Sequence, residues 1–264
     1  RVKPTLVVFN SILGASTRAA EKGDAGGEVV ERLLSEMRRM GVAPDLTFFG
    51  SCMSLLAAAS LEGRASSREA KRIIEQCRAA GLAPTPEMYR LWVKVLSNEV
   101  LRGKGSARDG TKVLDFMRSV GAYVTPQVYC SVLDLVSRAA LHSRGSVGDA
   151  EAILADMAEN EVTLTEQALC SYLQVARAEG GKTAAVSAWN VFAASPPKVR
   201  SQRAFTLLIS VLARSGQRKT AWALIDVLRS TGVQPNTYVY NAALSAAPDA
   251  ASLLELHAKM EAEG

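Results

Sequence analysis

No apolar run in this 264-residue sequence approaches the ~18 residues that a bilayer-spanning helix needs; the best, Phe205 to Ala213, is interrupted by Ser210. Histidine is nearly absent. His142 and His257 stand far apart, with no partner at metal-ligand or triad spacing, and read as solvated surface residues. The four cysteines, Cys52, Cys77, Cys130 and Cys170, make no C-x-x-C pair. That excludes a zinc ribbon or thioredoxin-like site and leaves reduced, small apolar side chains suited to a non-secretory compartment. The acids Glu21, Asp24, Glu28, Glu31 and Glu36 are scattered, and no Asp-x-Asp pair marks a magnesium site. The glycine-rich segments Gly23 to Gly27 and Gly103 to Gly105 lack the Lys-Ser/Thr ending of a phosphate loop. These absences argue against an enzyme and against a cofactor. No signal peptide is visible after Arg1, which leaves room for a targeting segment further upstream.

What is present is a period. Phe9, Phe49, Tyr89, Tyr129 and Leu169 fall at steps of 40 residues, followed by Phe205 and Tyr240. Gly41, Gly81 and Gly121 keep the same step, as do Met37, Cys77, Met117 and Met157. Three columns with one period describe a repeat protein, whose modules bury their apolar faces against neighbours rather than around one central core. Function is therefore expected on a long surface. The net charge of +5 and pI near 9.1 lean toward an acidic partner such as nucleic acid.

Each module reads as a helical hairpin. From Gln127 to Leu141, Val128, Tyr129, Val132, Leu133, Leu135 and Val136 recur at helical spacing, and after a glycine- and serine-containing break Asp149 opens a second helix with Ala150, Ile153, Leu154 and Met157. Between hairpins, Gly41-Val-Ala-Pro-Asp45, Gly81-Leu-Ala-Pro-Thr85 and Gly232-Val-Gln-Pro-Asn236 supply a left-handed stop, a proline block and a cap for the next helix. Inserts at Gly23 to Gly27, Leu61 to Ser67, Gly103 to Ser106 and Ser143 to Gly148 lengthen the first four modules between their two helices; they are expected to be exposed loops or extra helical turns. Pro196 and Pro197 predict an irregular junction. The final module is shortened by Pro248 and stops at Gly264, where a turn glycine belongs. Trp92, Trp189 and Trp222 sit among apolar neighbours and are expected in the core.

The tokens Phe9-Asn10-Ser-Ile-Leu13, Tyr240-Asn241-Ala-Ala-Leu244, Leu34-Ser-Glu-Met37, Leu114-Asp-Phe-Met117 and the Gly-Val-x-Pro-Asp/Asn turns resemble the pentatricopeptide repeat family, with lengthened repeats, over nearly the whole chain. The tetratricopeptide signature is absent. The resemblance implies an all-α solenoid of about seven helix-turn-helix repeats, a single array forming a right-handed superhelix, with boundaries near 6–45, 46–85, 86–125, 126–165, 166–201, 202–236 and 237–264.

It further implies that the residue after each aromatic and the last residue of the repeat read an RNA base. Asn10 with Asp45 resembles a uracil-preferring pair and Thr206 with Asn236 an adenine-preferring pair; Asn241 takes the same place in the seventh repeat. The pairs Gly50/Thr85, Arg90/Thr125, Cys130/Thr165 and Cys170/Ser201 depart from the family pattern. So do Glu87, Gln127, Gln167 and Arg203, where the family places an apolar residue, as Val7 does here. Arg18, Arg138 and Arg214 stand eight places past the reading residue, Arg177 one place early, where the family meets phosphate. The implied function is binding of single-stranded RNA in a mitochondrion or chloroplast to stabilise, process or position a transcript. The alternative is a structural subunit of an organellar ribosome that contacts ribosomal RNA and ribosomal or other ribonucleoprotein partners. A third reading is the RNA-binding part of a processing enzyme whose catalytic domain lies elsewhere. No membrane span is expected.

Overall fold

The computed structural model describes residues 5–231, 235–247, 249, 251, 253, 254 and 258. Gly232, Pro248, His257 and Gly264, named above for the last turn and the last repeat, lie outside the described residues. The described chain is helical and falls into two compact halves, one up to Leu135 and one from Val136.

First helices of successive repeats are α1 (Leu6–Glu21), α3 (Leu46–Ala59), α5 (Pro86–Leu101), α7 (Pro126–Ala140), α9 (Glu166–Glu179), α11 (Gln202–Arg214) and α13 (Thr237–Ala246). Second helices are α2 (Glu28–Met40), α4 (Ser67–Ala79), α6 (Ala107–Ser119), α8 (Val147–Glu159), α10 (Gly181–Ala194) and α12 (Arg218–Ser230). In the N-terminal half α1 packs on α3 and α3 on α5, while α4 rests on both α3 and α5. In the C-terminal half α9 packs on α11 and α11 on α13, with α10 and α12 bridging in the same way. Each half is thus a layer of first helices backed by second helices.

The periodic columns explain this arrangement. Phe9, Phe49, Tyr89, Tyr129, Leu169, Phe205 and Tyr240 are all buried, as are Met37, Cys77, Met117 and Met157. Each aromatic seated this way stabilises the stack by roughly 2–3 kcal/mol through area removed from water. A second-helix column of modest size, Val30, Ala70, Gly110 and Ala150, allows close crossing. At Gly110 an added Cβ would lie 2.8 Å from Val132, so even alanine would force a shift there.

The turns between repeats follow the sequence. Gly41, Gly81 and Gly121 adopt φ of 69°, 78° and 69°, the left-handed stop that glycine takes without penalty. The fourth turn differs: Glu161 holds the same register with φ 56°. The next first helix is then capped by Asp45, Thr85, Thr165, Ser201 or Asn236, whose side-chain oxygen accepts from the N–H three residues on.

The inserts are fastened to the following repeat. The amide of Gly27 donates to Arg64 O at 2.9 Å, the amide of Ser67 to Glu99 Oε1 at 2.9 Å and the amide of Val147 to Glu179. Arg102 reaches back to the carbonyls of Ser60 and Leu61. Capping boxes at Ser66/Glu69, Ser106/Asp109 and Ser146/Asp149 start α4, α6 and α8. The second insert also adds a short 3-10 turn, Ser60–Glu62. The expected junction after α10 is found as a 3-10 turn at Pro197–Val199, where Arg200 donates to Ala193 O and Ser195 O and stacks over the Phe192 ring.

The tryptophans divide. Trp92 is buried edge-on against Phe116, whereas Trp189 is 39% exposed and Trp222 half-buried. Ala185, Ala188 and Phe192 of α10 are buried while Trp189 and Val186 stand out, so local composition misplaced Trp189 in the core.

Candidate nucleic-acid interface

The residue two places before each buried anchor is exposed in all seven repeats: Val7, Thr47, Glu87, Gln127, Gln167, Arg203 and Tyr238. The reason is geometric, since a residue two positions from a buried one lies roughly 160° away around a helix. The two ends of this column are apolar, with Val7 71% and Tyr238 74% exposed.

In the C-terminal half, Tyr238, Arg203, Thr206, Leu207, Asn236 and Gln202 line a groove of about 760 Å³, together with Ser201 and the carboxylate-bearing Glu166. Thr206 and Asn236, which the family resemblance pairs as base readers, are therefore brought to one site. Thr206 donates its hydroxyl proton to Gln202 O at 2.8 Å and keeps oxygen lone pairs to accept. Asn236 accepts from the amide of Val239 at 3.0 Å and donates one amide proton to Gln202 Oε1 at 2.9 Å, which leaves its second proton. Asn241 is exposed in the next repeat.

In the N-terminal half, Asn10 is half-buried, and its Oδ1 has no hydrogen-bond partner. Asp45 caps α3 through Oδ1 at 2.7 Å from Phe48 N, and a carboxylate keeps a second oxygen for a ligand. Gly50 faces open space.

The third to fifth repeats are closed. Arg90 is held in a two-pronged pair by Glu87 at 2.6 and 2.5 Å, and that hydrogen bond raises the guanidinium pKa above its ordinary value. Cys130 and Cys170 are buried; burial pushes the Cys170 thiol up, opposed by the nearby charge of Arg203. Neither thiol is presented to a ligand.

The arginines with a phosphate role implied divide too. Arg18 and Arg214 are exposed at the ends of α1 and α11, whereas Arg138 and Arg177 are half-buried. In the third repeat the equivalent residue is Asn98, buried and bonded to Ser60 Oγ at 2.8 Å, a packing residue with no cationic role.

A second cation column was not anticipated. Arg38, Arg78, Arg118 and Arg229 occupy the last turns of α2, α4, α6 and α12, where positive charge complements the helix dipole. Arg229 donates to the buried Tyr240 hydroxyl at 3.0 Å. Arg78 holds the same register to Tyr89, whose pKa is raised by burial and partly lowered by that arginine. The 40-residue step from Arg38 to Arg118 was the available signal. Its lapse at Ala158 and Ala194 is taken up below.

Stacked two-helix modules, each anchored by one buried aromatic or leucine and stopped at a left-handed turn, define an α-solenoid repeat protein. Residues 202–249 match the model of the pentatricopeptide repeat domain. Among solved structures, it is similar to the pentatricopeptide repeat protein PPR10 in complex with an 18-nt psaJ RNA element at 20% identity and TM-score 0.47, over 100% of this chain and 44% of that chain. For PPR10 from maize the values are 21% and 0.35, over 100% and 45%. The chain thus spans less than half the length of the solved proteins it is compared with. No curated relative matches it.

Proposed function

We propose that this chain, a single repeat array, binds single-stranded RNA through its first helices. In this reading it is an organellar protein, of a mitochondrion or chloroplast, that stabilises, processes or positions a transcript. The observation that carries this is the groove that Arg203, Tyr238, Thr206 and Asn236 line together.

A base entering there stacks on the exposed Tyr238 ring, with the Arg203 guanidinium on its other side. The Thr206 oxygen accepts from an exocyclic amino group, and the spare Asn236 proton meets a ring nitrogen. That donor–acceptor order fits the Watson–Crick edge of adenine. In the first repeat, a half-turn of the Asn10 amide brings its orphan oxygen out toward a uracil N–H, beside the second oxygen of Asp45. Arg18, Arg138, Arg177 and Arg214 then meet phosphates as the backbone passes.

The test is a salt series of single-stranded RNA binding. Affinity is expected to fall steeply with salt, and Arg214→Gln to reduce the log–log slope by about 1. No binding at low salt would remove the proposal. The closed third to fifth repeats favour a second reading, a ribosomal subunit that contacts ribosomal RNA and proteins by shape and backbone. Co-sedimentation with organellar ribosomal particles separates the two.

A further inference from the structure

On α8 and α10 the surface changes character. The last turns of α8 and α10 lack the arginine found in those of α2, α4, α6 and α12, and Ala158 and Ala194 stand exposed there. A groove of about 370 Å³ opens between the two helices, lined by Met157, Ala158, Val162, Leu164, Val191 and Ala194. No charged residue occurs between Thr183 and Pro197.

Two exposed acids stand beside this groove, in a stretch of sequence without cations. Between Arg144 and Arg177 the sequence has no lysine or arginine but carries Asp149, Glu151, Asp156, Glu159, Glu161 and Glu166, in a chain of net charge +5. Glu159 and Glu161, exposed, directly flank lining residues Ala158 and Val162. Both positions are unfavourable for the isolated chain. Acids at the end of α8 oppose its dipole, and Glu161 occupies the left-handed position that glycine holds in the three preceding turns. A cationic partner offsets the first of these costs. A polyanion or an anionic membrane surface is repelled here.

We infer that the groove between α8 and α10 docks a basic amphipathic helical segment of a partner protein, its apolar face on Val191, Leu164 and Leu154 and its cations against Glu159 and Glu161. An amphipathic helix laid into an apolar groove with matched rim charges is a known recognition mode, and the site lies on the second helices, away from the Tyr238 groove on the first.

The test uses the chain as it stands and a fluorescein-labelled Leu/Lys amphipathic peptide of about 18 residues, followed by anisotropy. A Lys/Ser peptide of equal charge without an apolar face serves as control. The Leu/Lys peptide is expected to bind at least about tenfold more tightly than the control, and Ala158→Arg/Ala194→Arg, which rebuilds the arginine column at exposed positions, to weaken it about tenfold. Glu159→Gln/Glu161→Gly is expected to weaken it less and to make the residual binding less salt-sensitive. Equal binding of the two peptides, or unchanged binding to the double-arginine variant, overturns the inference. So does displacement of the peptide by single-stranded RNA, or sedimentation showing that the face is covered by a second copy of this chain.

Discussion

The outer repeats and the central ones share a scaffold but differ in what they leave open. Phe9, Tyr129 and Phe205 are equally buried anchors, yet the residues after them are a half-buried asparagine, a buried cysteine and a half-buried threonine. The first, sixth and seventh repeats pair a polar reading residue with an exposed Val7, Arg203 or Tyr238. The third closes on itself through Glu87 and Arg90, and the fourth and fifth bury the position outright. Periodic packing therefore specifies the module, while one column of side chains decides whether it can present anything to a base.

The largest effect expected is one that should not distinguish the regions. Phe205→Ala and Tyr129→Ala should each cost about 3–5 kcal/mol in a denaturant melt; a much smaller loss at either would show that the two regions do not share the same anchor. Next, Tyr238→Ala should weaken single-stranded RNA binding by about 1–3 kcal/mol, while Gln127→Ala and Gln167→Ala leave it unchanged. Equal losses at all three would erase the distinction between open and closed repeats.

The reading column itself can be probed in the same way. Cys130→Asn places an amide in a buried apolar site and should cost about 1–3 kcal/mol of stability. Gly50→Asn projects into open space, should fold normally, and should add base selectivity at the second repeat. The smallest effect concerns the central turn. Glu161→Gly should raise stability by about 1 kcal/mol, because glycine takes the left-handed conformation without a Cβ clash; thermal or chemical denaturation reads it, and a loss would mean that the glutamate side chain makes compensating contacts.

The architecture was legible because burial and turn chemistry recur at fixed spacing: the anchor column, the Met/Cys column and the turn glycines all landed where the period put them. The helix expected from Gln127 to Leu141 runs from Pro126 to Ala140, and the one expected from Asp149 starts at Val147, within the play that fraying ends allow. Periodicity does not report which way a residue faces when both sides of a helix are apolar. Trp189 looked like core for that reason and stands outside. The candidate site was legible as a set of positions, but not in its chemistry. The turn chemistry already marked Asp45 and Asn236 as caps of the next first helix, but sequence could not tell that Arg138 and Arg177 are half-buried while Arg18 and Arg214 are open. Those facts depend on neighbours contributed by other repeats.

The hooks on the inserts give the chain a direction. The start of α4 is completed by Glu99, and the start of α8 by Glu179, each supplied by the repeat that follows. As the polypeptide emerges from its N-terminus, the second and fourth modules wait for their successors before these donors are satisfied. A chain cut just after Thr85 or Thr165 would therefore leave an open amide in its own last repeat, and assembly advances like a zip whose teeth close one step behind the slider.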